Sequence, residues 1–358
     1  MNLPIRQLAI ATALALTLPA AAQSCPGDIL ADGVINGADL GAMLSYWGPR
    51  TTAPFSVASD LNGDEVINGG DLGLLLSAWG PCVPSWATLI EAAPDPDVVT
   101  NPTLRAAIVA THLPWRVLDT ATQMEMVLVP PGSFLMGCSP SVSIGCEAVE
   151  LPVHAVSLTR PFYLGRFEVT QSQWAARMGS NPSAFQGASP EVPAEQVPMR
   201  PVEMVSWGTV QAFLAATGMR LPAEAEWEYA YRAGSAAAYH GAPGNPLGFD
   251  DDGNLGTIAW FAENSAGQTW PVGQKLGNGF GLHDMSGNVW EWVSDWFSAV
   301  YYAESPSLNP PGPAAGNRHL LRGGSFIGDA GGIGCRSSSR LPWGSAVWNV
   351  GFRVARNP

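Results

Sequence analysis

Charge is scarce in this chain. Asp, Glu, Lys and Arg make up 13% of its 358 residues, against roughly 25% in an average soluble protein. The charge present is lopsided, 30 acids to 17 bases for a net −13, and the bases form no cluster. Binding to nucleic acid irrespective of sequence depends on Lys and Arg neutralising phosphates, so that function is disfavoured. No apolar run after residue 18 is long enough for a membrane helix. Histidine is limited to His112, His154, His240, His283 and His319, and none stands in the H-x-x-H or H-x-x-x-E spacing of a helix-borne zinc site. Cysteine is limited to five residues. What abounds is glycine (40), proline (31) and tryptophan (14). That is the composition of a loop-rich fold with a bulky aromatic core, and disordered chains are poor in aromatics and rich in charge.

The first residues read as an address. Arg6 is the only charge before an apolar run from Leu8 to Leu18, followed by Pro19 and Ala20-Ala21-Ala22. This is the pattern of a signal peptide over residues 1–22, with a core too short to cross a bilayer. A secreted, periplasmic or extracellular location follows, in which disulfides are permitted.

Two segments then echo each other 32 residues apart: DILADGVINGADLGAMLSYWGP from Asp28 and DLNGDEVINGGDLGLLLSAWGP from Asp60. Each begins with oxygen-bearing side chains and runs into an apolar helix ending in Trp-Gly-Pro. Calcium takes six to eight oxygen ligands, which a twelve-residue loop can supply. The first loop offers Asp28, Asp32, Asn36 and Asp39 with the Val34 carbonyl; the second offers Asp60, Asn62, Asp64, Asn68 and Asp71 with the Val66 carbonyl. The pair resembles a type I dockerin, a duplicated calcium loop-helix without the entering helix of an EF-hand. Leu30 departs from that pattern at position 3 of the first loop, and Glu65 at position 6 of the second. The other reading is a pair of Asx-turn loops capping two helices with no ion. The resemblance implies a two-helix module over residues 23–82 and a cohesin-like or cell-surface partner; serving only as a stalk is the alternative. Cys25 and Cys82 bracket the repeat and are expected to close it as a disulfide, because so small a module buries little core unaided. Residues 83–115, with VPSW, PDPD and NP, read as a turn-rich linker or lead-in.

From about Trp115 the chain reads as one domain. MVLVPPGSFLMG (126–137) is a strand, a Pro-Gly turn and a strand. RPFYLGRFEVT (160–170) contains another. Thr170 with Gln173 forms a capping box ahead of a short helix. Ser206 opens a second helix with Trp207, Val210, Phe213 and Leu214 on one face and Gly218 as its stop. Four further strings stand out: MRLPAEAEWEYAYRAG (219–234), FGLHDMSGNVWEWVSDWF (280–297), LRGGSF (321–326) and NVGFRVAR (349–356). In this order they resemble the formylglycine-generating enzyme (sulfatase-modifying factor) family over residues 116–358. The resemblance implies an α+β, loop-rich variant of the C-type lectin-like fold. Trp227, Tyr229, Trp290, Trp292 and Trp296 are expected in an aromatic core. Glu224, Glu226 and Glu228 are expected to serve as partners for arginines and backbone amides, with Arg336, Arg340 and Arg353 as counter-charges.

The resemblance also implies a structural calcium held by the side chains of Asp284 and Glu291 and the carbonyls of Gly287 and Val289. An acid at each end of a tight loop can make such an oxygen cage. Capping of turns is the other reading. The family's second calcium position is matched only by Asn264, which by itself is no site. In the family's oxidase, two cysteines about five residues apart after the GGS turn bind copper(I), a soft ion suited to thiolates. Here Ser325 and Phe326 match the start of that pattern, Gly328 stands at the first cysteine, and Gly332 or Ile333 at the second. Cys335 falls past the pair. Cys138 and Cys146, eight residues apart in CSPSVSIGC, are expected to form a local disulfide. That leaves Cys335 as an odd thiol, either buried and inert or reactive. There is no G-x-S-x-G elbow for a serine triad. Ser325 and Trp290 line the family's groove, and Arg340 is a third candidate. The expectation is a calcium-stabilised binding or accessory protein for a peptide or glycan; the alternatives are a formylglycine-generating oxidase that uses copper, or another activity on the same fold.

Overall fold

The two echoing segments fold alike. The computed structural model describes residues 25–139, 146–327 and 333–358; the expected signal peptide (1–22) and the positions Gly328 and Gly332 lie outside these. The chain divides between Trp79 and Gly80 into two compact units.

In the first unit, α1 (Gly37–Ser45) and α3 (Gly69–Ser77) are each opened by a capping box, Asn36 with Asp39 and Asn68 with Asp71. A side-chain oxygen at these positions satisfies amides that the helix start leaves unpaired. A short third helix, α2 (Pro54–Ser59), lies between them, where the sequence led us to expect two helices. Proline at the first position favours that start, because its missing N–H would have been unpaired there. Ile29, Ile35, Met43, Ile67 and Leu75 form the small interior of the unit.

The second unit begins earlier than expected. Residues 83–115 are not a linker. Strand Ala87–Glu91 pairs antiparallel with Arg116–Asp119, and α4 (Pro102–Val109) buries Leu104 and Ile108, four apart on one face, in the main core. Burial of that apolar stripe outweighs the turn dipeptides around it. The resulting antiparallel sheet runs Ala355–Arg356, Phe162–Gly165, Glu125–Val129, Arg116–Asp119, Ala87–Glu91. A second sheet runs Arg340–Trp343, His319–Arg322, Trp290–Trp296, Val350–Gly351, and strands Gly132–Met136 and His154–Leu158 pair as a ribbon.

The expected helix starts are present. Thr170 and Gln173 cap α5 (Gln171–Met178). Ser206 caps α6 (Trp207–Thr217), which ends at Gly218. α7 (Glu224–Arg232) lies against the second sheet and buries eight of its residues. The core holds Trp227, Tyr229 and Trp292; Trp290 and Trp296 are only half-buried, because both stand where the strand Trp290–Trp296 reaches the surface. Mixed helix and sheet, with long connections between short elements, is the architecture observed.

Candidate functional site

Four strings that are far apart in sequence meet around the turn Gly323–Phe326. The acids of α7 anchor it. Glu228 accepts from Arg232 at 2.8 and 2.9 Å and from the Gly137 amide at 3.0 Å, and also pairs with Arg322. Glu224 pairs with Arg340 (2.8 and 3.0 Å), and Glu226 holds Arg220 in a bidentate pair (2.6 and 2.8 Å). Arg353 pairs with Glu291. The counter-charge role expected of Arg340 is thus filled, whereas Arg353 serves Glu291 rather than an acid of α7, and Arg220 and Arg322, which answer Glu226 and Glu228, were missed. Buried ions need partners, and these arginines have them.

The turn itself requires glycine. Gly324 has φ +77°, and a Cβ there would stand 2.7 Å from the Cys335 sulfur and 2.8 Å from its backbone nitrogen. Cys335 therefore packs directly under the turn. It is fully buried among Ala238, Tyr239, Leu255, Ile258, Ala259 and Phe261, and burial, helped by the charge of Glu263, pushes its thiol up to about 12. It is a free cysteine. Cys138 bonds to Cys146, and Cys25 and Cys82 are each disulfide-bonded. Among the described residues no second thiol accompanies Cys335. Copper(I) held by two thiolates does not fit this set.

Beside the turn lies a cavity of about 280 Å³ that brings together Trp290, Ser325 and Arg340 with Glu147, Glu150 and Asn349. Ser325 is buried and its hydroxyl accepts from the Asn349 amide at 3.2 Å. The Trp290 ring packs on Gly334, where a Cβ would approach to 3.1 Å. Arg340 lines the cavity but is spent on Glu224, so it shapes a wall more than it offers a free charge. Glu150 was missed by the sequence reasoning. It is buried, accepts from Ser338 Oγ at 2.8 Å, and burial raises its pKa. Nothing near VELP marks it; Asn349, by contrast, opens the string NVGFRVAR. A cleft of about 740 Å³ along α6, past Trp207 and Pro310, holds none of the groove or metal-site residues expected from the sequence.

The acidic loop is hydrogen-bonded to the same turn. Gly287 N–H donates to Gly323 O, and Phe326 N–H to Asn288 O, both at 2.8 Å. Asp284 is buried and accepts from the Gly273 amide at 2.7 Å; burial pushes it up to about 6. Glu291 accepts from Arg353 and from Trp227 Nε1 (2.7 Å). Glu168, also missed, accepts from the Val289 amide (3.0 Å) and from Asn288 (2.6 Å), and burial beside Asp284 and Glu291 raises it well above the usual carboxylate range. Three buried acids thus share the positive charge of Arg353, and Asp284 also feels that of Lys275. Gly287 has φ +78° and sits so close to Trp260 O that a Cβ would fall 2.1 Å away. Asn264 caps its own turn, accepting from Phe261 N–H and donating to Ala259 O.

In the first unit the loop acids bind backbone amides. Asp28 accepts from Asp32 and Gly33, Asp39 from Leu30 and Asn36. Asp60 accepts from Gly63 and Glu65 and pairs with Arg50 at 3.3 Å; Asp71 accepts from Leu61, Asn62 and Asn68. Those three amides lower the pKa of Asp71 against the opposing effect of burial. Carboxylate oxygens of Asp28, Asp32 and Asp39 lie within 4.8 Å of one another.

A mixed α/β domain with a buried arginine–glutamate lattice, a GGS turn and a cleft beside it defines a class of protein. The model of the sulfatase-modifying factor enzyme 1-like domain matches residues 116–358, and the chain belongs to that family. It is 34% identical over 285 residues to a formylglycine-generating enzyme of Streptomyces coelicolor, covering 64% of this chain and 88% of that protein. To the formylglycine-generating enzyme of Thermomonospora curvata it is 33% identical over 297 residues, covering 65% and 93%. Among solved structures it is similar to Treponema denticola variable protein 1 (TM-score 0.57, 27% identity, 66% of this chain and 95% of that one) and to PvdO from Pseudomonas aeruginosa (TM-score 0.55, 29% identity, 68% and 98%). Among the described residues no helix is long and apolar enough to cross a membrane.

Proposed function

We propose that this is an exported, calcium-stabilised binding member of the family, whose cleft at Trp290, Ser325 and Arg340 takes a peptide or glycan segment. The carrying observation is Cys335, a lone thiol locked beneath Gly324 with its pKa raised. A thiol in that state is a poor nucleophile and a poor metal ligand. The second reading, a formylglycine-generating oxidase, is favoured by the names of the relatives. Incubating the purified protein with copper, oxygen and a Cys-x-Pro-x-Arg peptide separates the two. The binding reading expects the peptide cysteine to remain unchanged by mass; conversion to formylglycine, lost in Cys335→Ala, would establish the oxidase instead.

Calcium in the large unit would be held by Asp284 and the carbonyls of Gly287 and Val289, with Glu291 contributing around its pairing to Arg353. The excess of buried acids over bases supports a dication there. The first unit resembles a dockerin, and its loops would hold calcium through Asp28, Asp32, Asn36, Asp39 and the Val34 carbonyl, and through Asp60, Asn62, Asp64, Asn68, Asp71 and the Val66 carbonyl. A cohesin-like or cell-surface protein is the partner this implies. Titration calorimetry should show calcium binding that Asp60→Ala with Asp71→Ala reduces; no heat at millimolar calcium would leave the unit a spacer.

A further inference from the structure

Away from the cleft, and sharing no wall residue with it, a cavity of about 400 Å³ opens between α4, the strand Gly132–Met136 and the end of α7. That volume is at the small end of the range for small-molecule sites, about 300–1,000 Å³. Leu104, Ala107, Phe134 and Leu135 make its walls apolar. Polar side chains interrupt them at Thr103, Ser133, Tyr229, Arg232 and Ser235; Ser133 Oγ is bonded to Ser157 and Ser235 Oγ to the Leu247 carbonyl. Tyr229 is 7% exposed, and its hydroxyl, facing the cavity, makes no hydrogen bond with another described residue. The ring is buried while its oxygen keeps access to solvent, so the phenol presents an apolar body to the core and a polar tip to the cavity. The ring is held in place, because it packs on Phe134 at 5.5 Å and its oxygen fills the space where a Cβ on Gly132 would lie, 2.1 Å away. The Arg232 guanidinium at the same wall is already committed to Glu228, Gly137 and Ser139, so no free charge faces the cavity from it. Burial pushes the Tyr229 hydroxyl up to about 12, which keeps it a neutral donor.

We propose that this cavity is a second binding site, for a small apolar molecule carrying one hydrogen-bond-accepting oxygen, which Tyr229 meets. An anionic ligand would find no free cation there, and a strongly polar one would leave its groups unpaired against leucine and phenylalanine. The acceptor oxygen fixes the orientation and the apolar walls supply the affinity.

The test uses the full chain and the fluorescence of N-phenyl-1-naphthylamine. The probe should bind saturably, and 2-acetylnaphthalene should displace it about tenfold better than 2-isopropylnaphthalene, which lacks the acceptor. Tyr229→Phe should retain the probe and abolish that preference. Ala107→Trp, which fills the cavity from α4, should abolish probe binding. Leu135→Glu, which places a charge on an exposed wall residue at little cost to folding, should do the same. Circular dichroism checks that each variant is folded. No saturable binding by the native chain, binding that survives both wall variants, or a preference that survives Tyr229→Phe would each overturn the proposal.

Discussion

Asp295 lies against the first turn of α7, where its carboxylate accepts from the Glu224 amide (2.8 Å) and Ser294 Oγ (3.0 Å). Burial, then the neighbouring charge of Glu224, push its pKa up to about 7. From the ordinary aspartate value to about 7, the folded state holds a proton that the unfolded chain releases. Stability from this group is therefore complete at acid pH and lost as pH climbs toward 7. Asp295→Asn keeps an acceptor for the amide and removes the ionisation. It should nearly match the native protein at pH 4 and exceed it at pH 8 by about 4 kcal/mol in urea denaturation; a gain independent of pH would contradict this assignment. Glu228 makes the opposite case. Glu228→Gln leaves Arg232 and Arg322 buried with too little counter-charge and should cost about 3–5 kcal/mol, read as a lowered melting temperature. The alternation of Glu224, Glu226 and Glu228 was visible in sequence. That Arg322 answers Glu228 was not, because the two lie 94 residues apart and only the fold brings them together.

Short elements carry their own start signals, and these were the legible part. Thr170 and Ser206 act through bonds to residues three away and Gly218 through its left-handed backbone, so sequence neighbours suffice to identify them. The helix α4 carried such signals as well, with Asn101 accepting from Thr103 and Leu104 ahead of Pro102. It was obscured by turn-forming dipeptides on either side, and its apolar pair Leu104 and Ile108 finds its partners only across the core. The Trp296 side chain was misplaced for a related reason: composition says that tryptophan is buried, but the end of a strand decides how far. The turn at Gly324 yields a prediction at this scale. Gly324→Ala meets both a left-handed backbone and the Cys335 nitrogen, so it should destabilise the domain by more than about 1 kcal/mol. Relieving the contact with the sulfur by Cys335→Ala should recover only part of that loss, since the backbone clash remains; full recovery would locate the whole cost in the side chain.

At the level of the molecule, the division at Trp79 and Gly80 gives each unit its own interior. Differential scanning calorimetry should therefore resolve two transitions. Asp60→Ala with Asp71→Ala should lower the first and leave the second in place, because those acids brace only the loop ahead of α3. A single merged transition shifted as a whole would contradict this. The family and the repeat were readable from local strings, whereas the cleft was assembled from residues between Glu147 and Asn349 and needed the fold. One consequence belongs to the pair of bonds joining Gly287 to Gly323 and Asn288 to Phe326. They make the acidic loop and the GGS turn a single lever. If an ion seats on one end and a ligand on the other, a closed thermodynamic cycle requires each to change the other's affinity by the same factor. A chelator that weakens ligand binding would thus state, without any separate titration, by how much the ligand tightens the ion.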